Sequence, residues 1–123
     1  MLFETKDSVD INDLKEIKID TFILFSAFTV YCHHNGLPLL ITSIKDEVVG
    51  RKSDTHLDGR AFDVSVRAWN RKQIDDCINY FMTKYKDLGA ISADTGLRRV
   101  VYLHSMADNG AEHIHVQIKK SST

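Results

Sequence analysis

The chain has 123 residues, 43% of them hydrophobic and 27% charged, which suits one self-sufficient domain over residues 1–123 with a core of its own and no second unit. Lys and Arg total 16 against 17 Asp and Glu, so the charge balance gives no reason to expect nucleic acid or an anionic membrane as a partner. Two cysteines are too few for a disulfide scaffold.

The opening Met1-Leu2-Phe3-Glu4-Thr5-Lys6-Asp7 lacks the basic-then-apolar order of a secretory signal, so synthesis in the cytoplasm is expected. Asp10 reads as an N-cap with Asp13 in the first turn. Leu14, Ile17, Leu24, Phe25, Phe28 and Cys32 then recur at helical spacing until Asn35-Gly36 and Pro38 stop them, which predicts one long, core-facing first helix. Its mostly apolar run, Thr21 to Cys32, falls short of the ~20 residues a membrane span needs. His33-His34 at its end complement the helix dipole and have no further ligand at a suitable spacing. Cys32 and Cys77 each lie in an apolar helical stripe and read as buried free thiols rather than a disulfide.

Leu39 to Ile44 reads as a strand. The charged stretch after it, Lys45-Asp46-Glu47 with Arg51-Lys52, is either a solvated loop or one in which Lys45 or Arg51 clamps a substrate carboxylate. Ser53, Asp54 and Thr55 could also position a substrate. A second helix is expected from Asn70, where Gln73 completes a capping box and Trp69 can staple onto Ile74. Cys77, Ile78, Phe81, Met82, Tyr85 and Leu88 form its apolar stripe, and Gly89 ends it. Arg98 to His104 reads as a strand, joined through a loop with the turn signal Asn109-Gly110 to a strand containing Glu112-His113-Ile114-His115, so an antiparallel hairpin is expected. Lys119 to Thr123 reads as a frayed tail.

Two of these segments carry chemistry. In the strand around Asp63, Phe62, Val64 and Val66 alternate with Ala61, Asp63 and Ser65. In the strand around His115, Ile114, Val116 and Ile118 alternate with His113, His115 and Gln117. Side chains alternate across a strand, so each has an apolar face and a polar one. Placed side by side in one sheet, the strands would bring Asp63 and His115 together, with His56 arriving from the Asp58-Gly59 turn. Two imidazoles and a carboxylate suit Zn²⁺ at ~2.0–2.2 Å, with a fourth position left for water. Glu112 stands at the strand entrance, where a carboxylate can reach a metal-activated water without being a ligand. His104 shares the parity of Tyr102 and reads as an edge histidine that the hairpin could bring near.

The pattern His56-Leu57-Asp58-Gly59-Arg60-Ala61-Phe62-Asp63 followed by Glu112-His113-Ile114-His115 resembles the zinc D-alanyl-D-alanine metallopeptidases and the related L-alanyl-D-glutamate endopeptidases of phage lysins. Their fold is shared with the hedgehog signalling domain. The resemblance implies Zn²⁺ on His56, Asp63 and His115, Glu112 as general base, and His113 assisting as the first member of a His-x-His pair. It runs from Leu39 to Ile118. Relatives usually carry Ser two residues before the first zinc histidine, where this chain has Asp54, with Ser53 one further back. They also usually carry an Arg that holds a substrate carboxylate, a role that Lys45 or Arg51 could fill here.

The expected fold is therefore α+β, with two main helices packed on a small antiparallel sheet and a zinc site on its open face. The expected activity is zinc-dependent hydrolysis of a peptide bond in peptidoglycan stem peptides or cross-links, as a DD-carboxypeptidase or an L-Ala-D-Glu-type endopeptidase. The resemblance implies a phage lysin that acts on the cell wall after release or delivery; a monomer is expected, and the charge balance leads us to expect no nucleic-acid or membrane partner. Two alternatives stay open: a zinc-bound, non-catalytic binding module of the same fold, and a zinc hydrolase of another amide.

Overall fold

The computed structural model of the protein describes residues 3–7, 9–44, 59–91, 96–105 and 112–119. The first helical region divides in two. Asp10 caps a short 3₁₀ turn, Ile11–Lys15, by accepting from the Asn12 N–H at 2.9 Å, and helix α1 then runs from Ile19 to His34. The single long helix expected from periodicity is broken because Lys18 is extended and its N–H donates to the Gly59 carbonyl at 2.9 Å. The Thr21 hydroxyl donates to the same oxygen at 3.0 Å. Gly59 packs directly against the backbone at this break, with φ +71° and its missing Cβ only 2.7 Å from the Glu16 carbonyl oxygen.

Helix α2, Arg71–Lys84, begins as its local signals require. The Asn70 side chain accepts from the Gln73 N–H at 2.8 Å, and the Gln73 side chain accepts from the Asn70 N–H at 2.9 Å. It ends before the expected Gly89, giving way after Tyr85 to a 3₁₀ turn, Lys86–Leu88.

The main sheet joins β1 (Glu4–Thr5), β2 (Leu40–Ser43), β3 (Ala61–Ser65), β6 (Val101–Ser105) and β7 (Glu112–Gln117) in the order β1-β2-β3-β7-β6. It is mixed, where an antiparallel sheet was expected, because β1 runs parallel to β2. Glu4 and Lys6 donate to the Leu39 and Ile41 carbonyls, each at 2.8 Å. The remaining pairs, including the expected β6–β7 hairpin, are antiparallel; Asn109-Gly110 lie outside the described residues. Two short strands, β4 (Ala90–Ile91) and β5 (Arg98–Arg99), form a separate small sheet. The strand expected over Arg98 to His104 therefore divides at buried Val100, whose carbonyl accepts from the Gln117 N–H at 2.8 Å.

One face of the main sheet meets the helices. Ile41, Phe62, Val64, Val101, Ile114 and Val116 share a core with Leu24, Phe25, Phe28 and Cys32 of α1 and with Ile74, Cys77 and Phe81 of α2. Phe28 stacks on Phe81 at 5.0 Å between ring centroids and meets Phe62 edge-on at 5.9 Å. Both cysteines are buried free thiols, as expected. No helix among the described residues is long and apolar enough to cross a membrane.

Candidate functional site

The alternation that buries Phe62, Val64, Ile114 and Val116 directs Asp63 and Ser65 of β3, with His113, His115 and Gln117 of β7, to the face away from the helices. The expected adjacency of the two motif strands is present, with Asp63 directly opposite His115 and Ser65 opposite His113. On the other side of β7, Tyr102 lies opposite His115 and His104 opposite His113. A register shift in β2 sets Ser43 opposite Asp63.

These side chains form a connected cluster. His115 Nδ1 lies 2.8 Å from Asp63 Oδ1, and His113 Nε2 lies 3.5 Å from Asp63 Oδ2. His104 Nδ1 lies 3.3 Å from His113 Nε2. The Tyr102 ring is 5.0 Å from the His115 ring between centroids, and the Arg99 guanidinium sits over Tyr102 at 5.7 Å. Asp63, His115 and Gln117 are only 5%, 6% and 3% exposed, whereas His104 is exposed. The open polar face expected from sequence is thus a buried centre that reaches solvent toward its His113–His104 end. Polar groups at such depth must be paired.

The pairing of Gln117 is complete in itself. Its amide nitrogen donates to the Arg99 carbonyl at 3.1 Å and to the Ala90 carbonyl at 3.4 Å, and its oxygen lies 3.1 Å from His115 Nε2. Just ahead of β3, Arg60 binds the end of β7. Its guanidinium donates to the Ile118 carbonyl at 3.0 Å, and its own carbonyl accepts from the Ile118 N–H at 2.8 Å. Gly59 and Arg60 thus fix the entry to β3 against α1 on one side and β7 on the other, and Asp63 is placed accordingly.

Glu112 has the opposite parity from His113 and His115. Its carboxylate accepts from Arg71, the first residue of α2, at 3.4 Å. Both side chains are substantially exposed, and such surface pairs are worth only ~0–1 kcal/mol.

Two of the three expected zinc ligands, Asp63 and His115, are therefore brought together with donor atoms facing each other. Their chemistry, imidazole nitrogen and carboxylate oxygen, fits a divalent cation of the zinc type. His56 lies outside the described residues, as do Lys45, Arg51, Ser53 and Asp54. Among the described residues, no three His, Cys, Asp or Glu side chains form a group that could hold a metal ion. Gln117 and Arg99 belong to neither sequence motif, yet both join the cluster. Gln117 was visible as the next residue on the His113–His115 parity, but the carbonyls that hold it come from distant β4 and β5.

No protein-family model, no curated protein and no solved structure matches the chain.

Proposed function

We propose that the protein is a zinc-dependent peptidase acting on the stem peptides or cross-links of bacterial peptidoglycan, with His56, Asp63 and His115 holding the metal. The observation that carries the reading is the 2.8 Å approach of His115 Nδ1 to Asp63 Oδ1, from neighbouring strands and at a buried position. A phage-lysin setting rests on the resemblance of the two motifs alone.

A zinc ion held there supplies Lewis-acid polarisation of the scissile carbonyl and activation of the attacking water. Glu112 takes a proton from that water as its oxygen bonds to the carbonyl carbon. Glu112 is the first residue of β7 and starts from the opposite face of the sheet, so this requires its carboxylate to leave Arg71 and to turn around the strand end toward Asp63 and His115. His113 donates to the oxyanion that develops on the former carbonyl oxygen. Collapse breaks the C–N bond, and Glu112 delivers its proton to the departing amine, leaving one new carboxylate and one new amino end. Binding of a substrate carboxylate is assigned to Lys45 or Arg51, and positioning of the substrate to Ser53 and Asp54, which precede His56 in the sequence.

The test is muropeptide release from purified sacculi, read by mass spectrometry beside measured zinc content. The wild type should bind one zinc and release fragments with new amino and carboxyl ends. Glu112→Gln should keep the metal and lose activity by ~10²–10⁴-fold, whereas Asp63→Asn and His115→Ala should lose both. Equal products from wild type and Glu112→Gln would remove the base from the mechanism. Retention on sacculi without product would point to a non-catalytic binding module, and cleavage of other amides alone to a different substrate class.

A further inference from the structure

We infer that Gln117 is a positioning residue that decides which nitrogen of His115 is presented to the metal. The inference rests on the metal reading above for its purpose, and on the hydrogen bonds of the Gln117 amide for its logic. That amide cannot be turned around. Two backbone carbonyls, from Arg99 at 3.1 Å and Ala90 at 3.4 Å, require its NH₂ group, so the amide oxygen is the atom that meets His115 Nε2 at 3.1 Å. A carboxamide oxygen only accepts. His115 Nε2 must therefore carry a proton, and in the neutral ring the lone pair is then on Nδ1, the atom 2.8 Å from Asp63 Oδ1.

A neutral imidazole held this way turns an acceptor nitrogen toward an acceptor oxygen at hydrogen-bond distance. That arrangement is repulsive unless a proton or a cation stands between the two atoms: a second proton on the ring, a proton on the Asp63 carboxyl, or a cation bound by both. Gln117 thus does more than fill space in the 3% exposed interior. It closes Nε2 to metal and keeps Nδ1 directed at the carboxylate, as outer hydrogen bonds do for metal-binding histidines generally. The anchors of Gln117 lie on the separate β4–β5 sheet, so this small sheet takes part in building the centre.

The test uses the whole protein with ¹⁵N-labelled histidine, Zn²⁺ and ¹¹³Cd²⁺ as probes, and two variants. In the wild type, with or without metal, His115 should show an Nε2 proton protected from exchange, and cadmium should couple to Nδ1. Gln117→Met removes the acceptor, so the Nε2 proton should lose its protection and zinc affinity by chelator competition should fall ~10–100-fold. Gln117→Glu gives up the same two bonds to the carbonyls but keeps an acceptor against Nε2. It should lose stability as Gln117→Met does and still hold the tautomer, a split that a purely structural role would not produce. A wild-type His115 protonated on Nδ1 alone, cadmium coupled to Nε2, or equal zinc affinity in wild type and Gln117→Met would each overturn the inference. Wild-type protein that binds neither ion yet keeps the protected Nε2 proton would refute the metal reading and leave the Gln117–His115 arrangement standing.

Discussion

Replacing Gly59 by Ala probes the contact that ties the first motif to α1. Gly59 has φ +71°, and an added Cβ would lie 2.7 Å from the Glu16 carbonyl oxygen and 3.0 Å from Ile17 Cα. Both neighbours are backbone, so neither can rotate away. The left-handed conformation costs an L-residue about 1–2 kcal/mol. Displacing the backbone also weakens the bonds that the Gly59 carbonyl accepts from Lys18 and Thr21, at about 1 kcal/mol each. Reduced freedom in the unfolded chain returns ~0.4–1 kcal/mol, leaving a net loss of about 2–3.6 kcal/mol. Gly36 is the internal control, because its φ of +64° carries the same conformational cost while nothing lies within 4 Å of its would-be Cβ. Gly36→Ala should lose about 0–1.6 kcal/mol. Urea unfolding at constant slope measures both. Equal losses in the two variants would show that the contact with Glu16 and Ile17 carries no energy and would refute the account of the helix break.

Phe28→Ala should cost about 3–5 kcal/mol, because the ring is fully buried among Phe62, Trp69 and Phe81; a loss under ~1 kcal/mol by urea unfolding would contradict that packing. The thiols should resist a disulfide reagent at pH 8 in the native protein and react in denaturant, since burial pushes Cys32 up to about 12, and burial together with neighbouring Cys32 pushes Cys77 up as well. The same shift has a stability consequence. An unfolded thiol ionises near its ordinary value of 9.0 while the folded one stays protonated, so this contribution is intact below pH 9.0 and is lost as pH rises toward about 12. The alkaline fall in the urea midpoint should be shallower in Cys32→Ala, and identical slopes would count against the shift.

What could be read from the sequence was local or strictly periodic. Asn70 and Gln73 start α2 through bonds three residues apart, and the alternation in β3 and β7 assigns every side chain to a face without knowledge of the partner strand. The break before α1 was hidden because its cause, the Gly59 carbonyl, stands far away in the chain, whereas apolar periodicity through Leu14 and Ile17 continues as if the helix did. Strand β1 escaped notice because two residues carry no periodicity, and it exists only by pairing with β2. In the candidate site, the meeting of Asp63 and His115 was legible from parity. The function of Gln117 was not, since an amide at that position acquires its orientation only from the Ala90 and Arg99 carbonyls.

The centre's geometry is a by-product of the core on the opposite face. Asp63 faces His115 only in the register that also pairs Phe62 with Val116 and Val64 with Ile114. A slip of one residue along β3 would turn Phe62 and Val64 away from the core and drive Asp63 into the apolar layer, so the burial of those two side chains opposes it. Arg60 adds a polar lock at the strand's edge by grasping Ile118 from both its side chain and its backbone. The aromatic cluster beneath the sheet therefore sets the spacing of the imidazole and carboxylate above it. The buried polar cluster, costly where unpaired, is placed on a strand pair whose register the core holds.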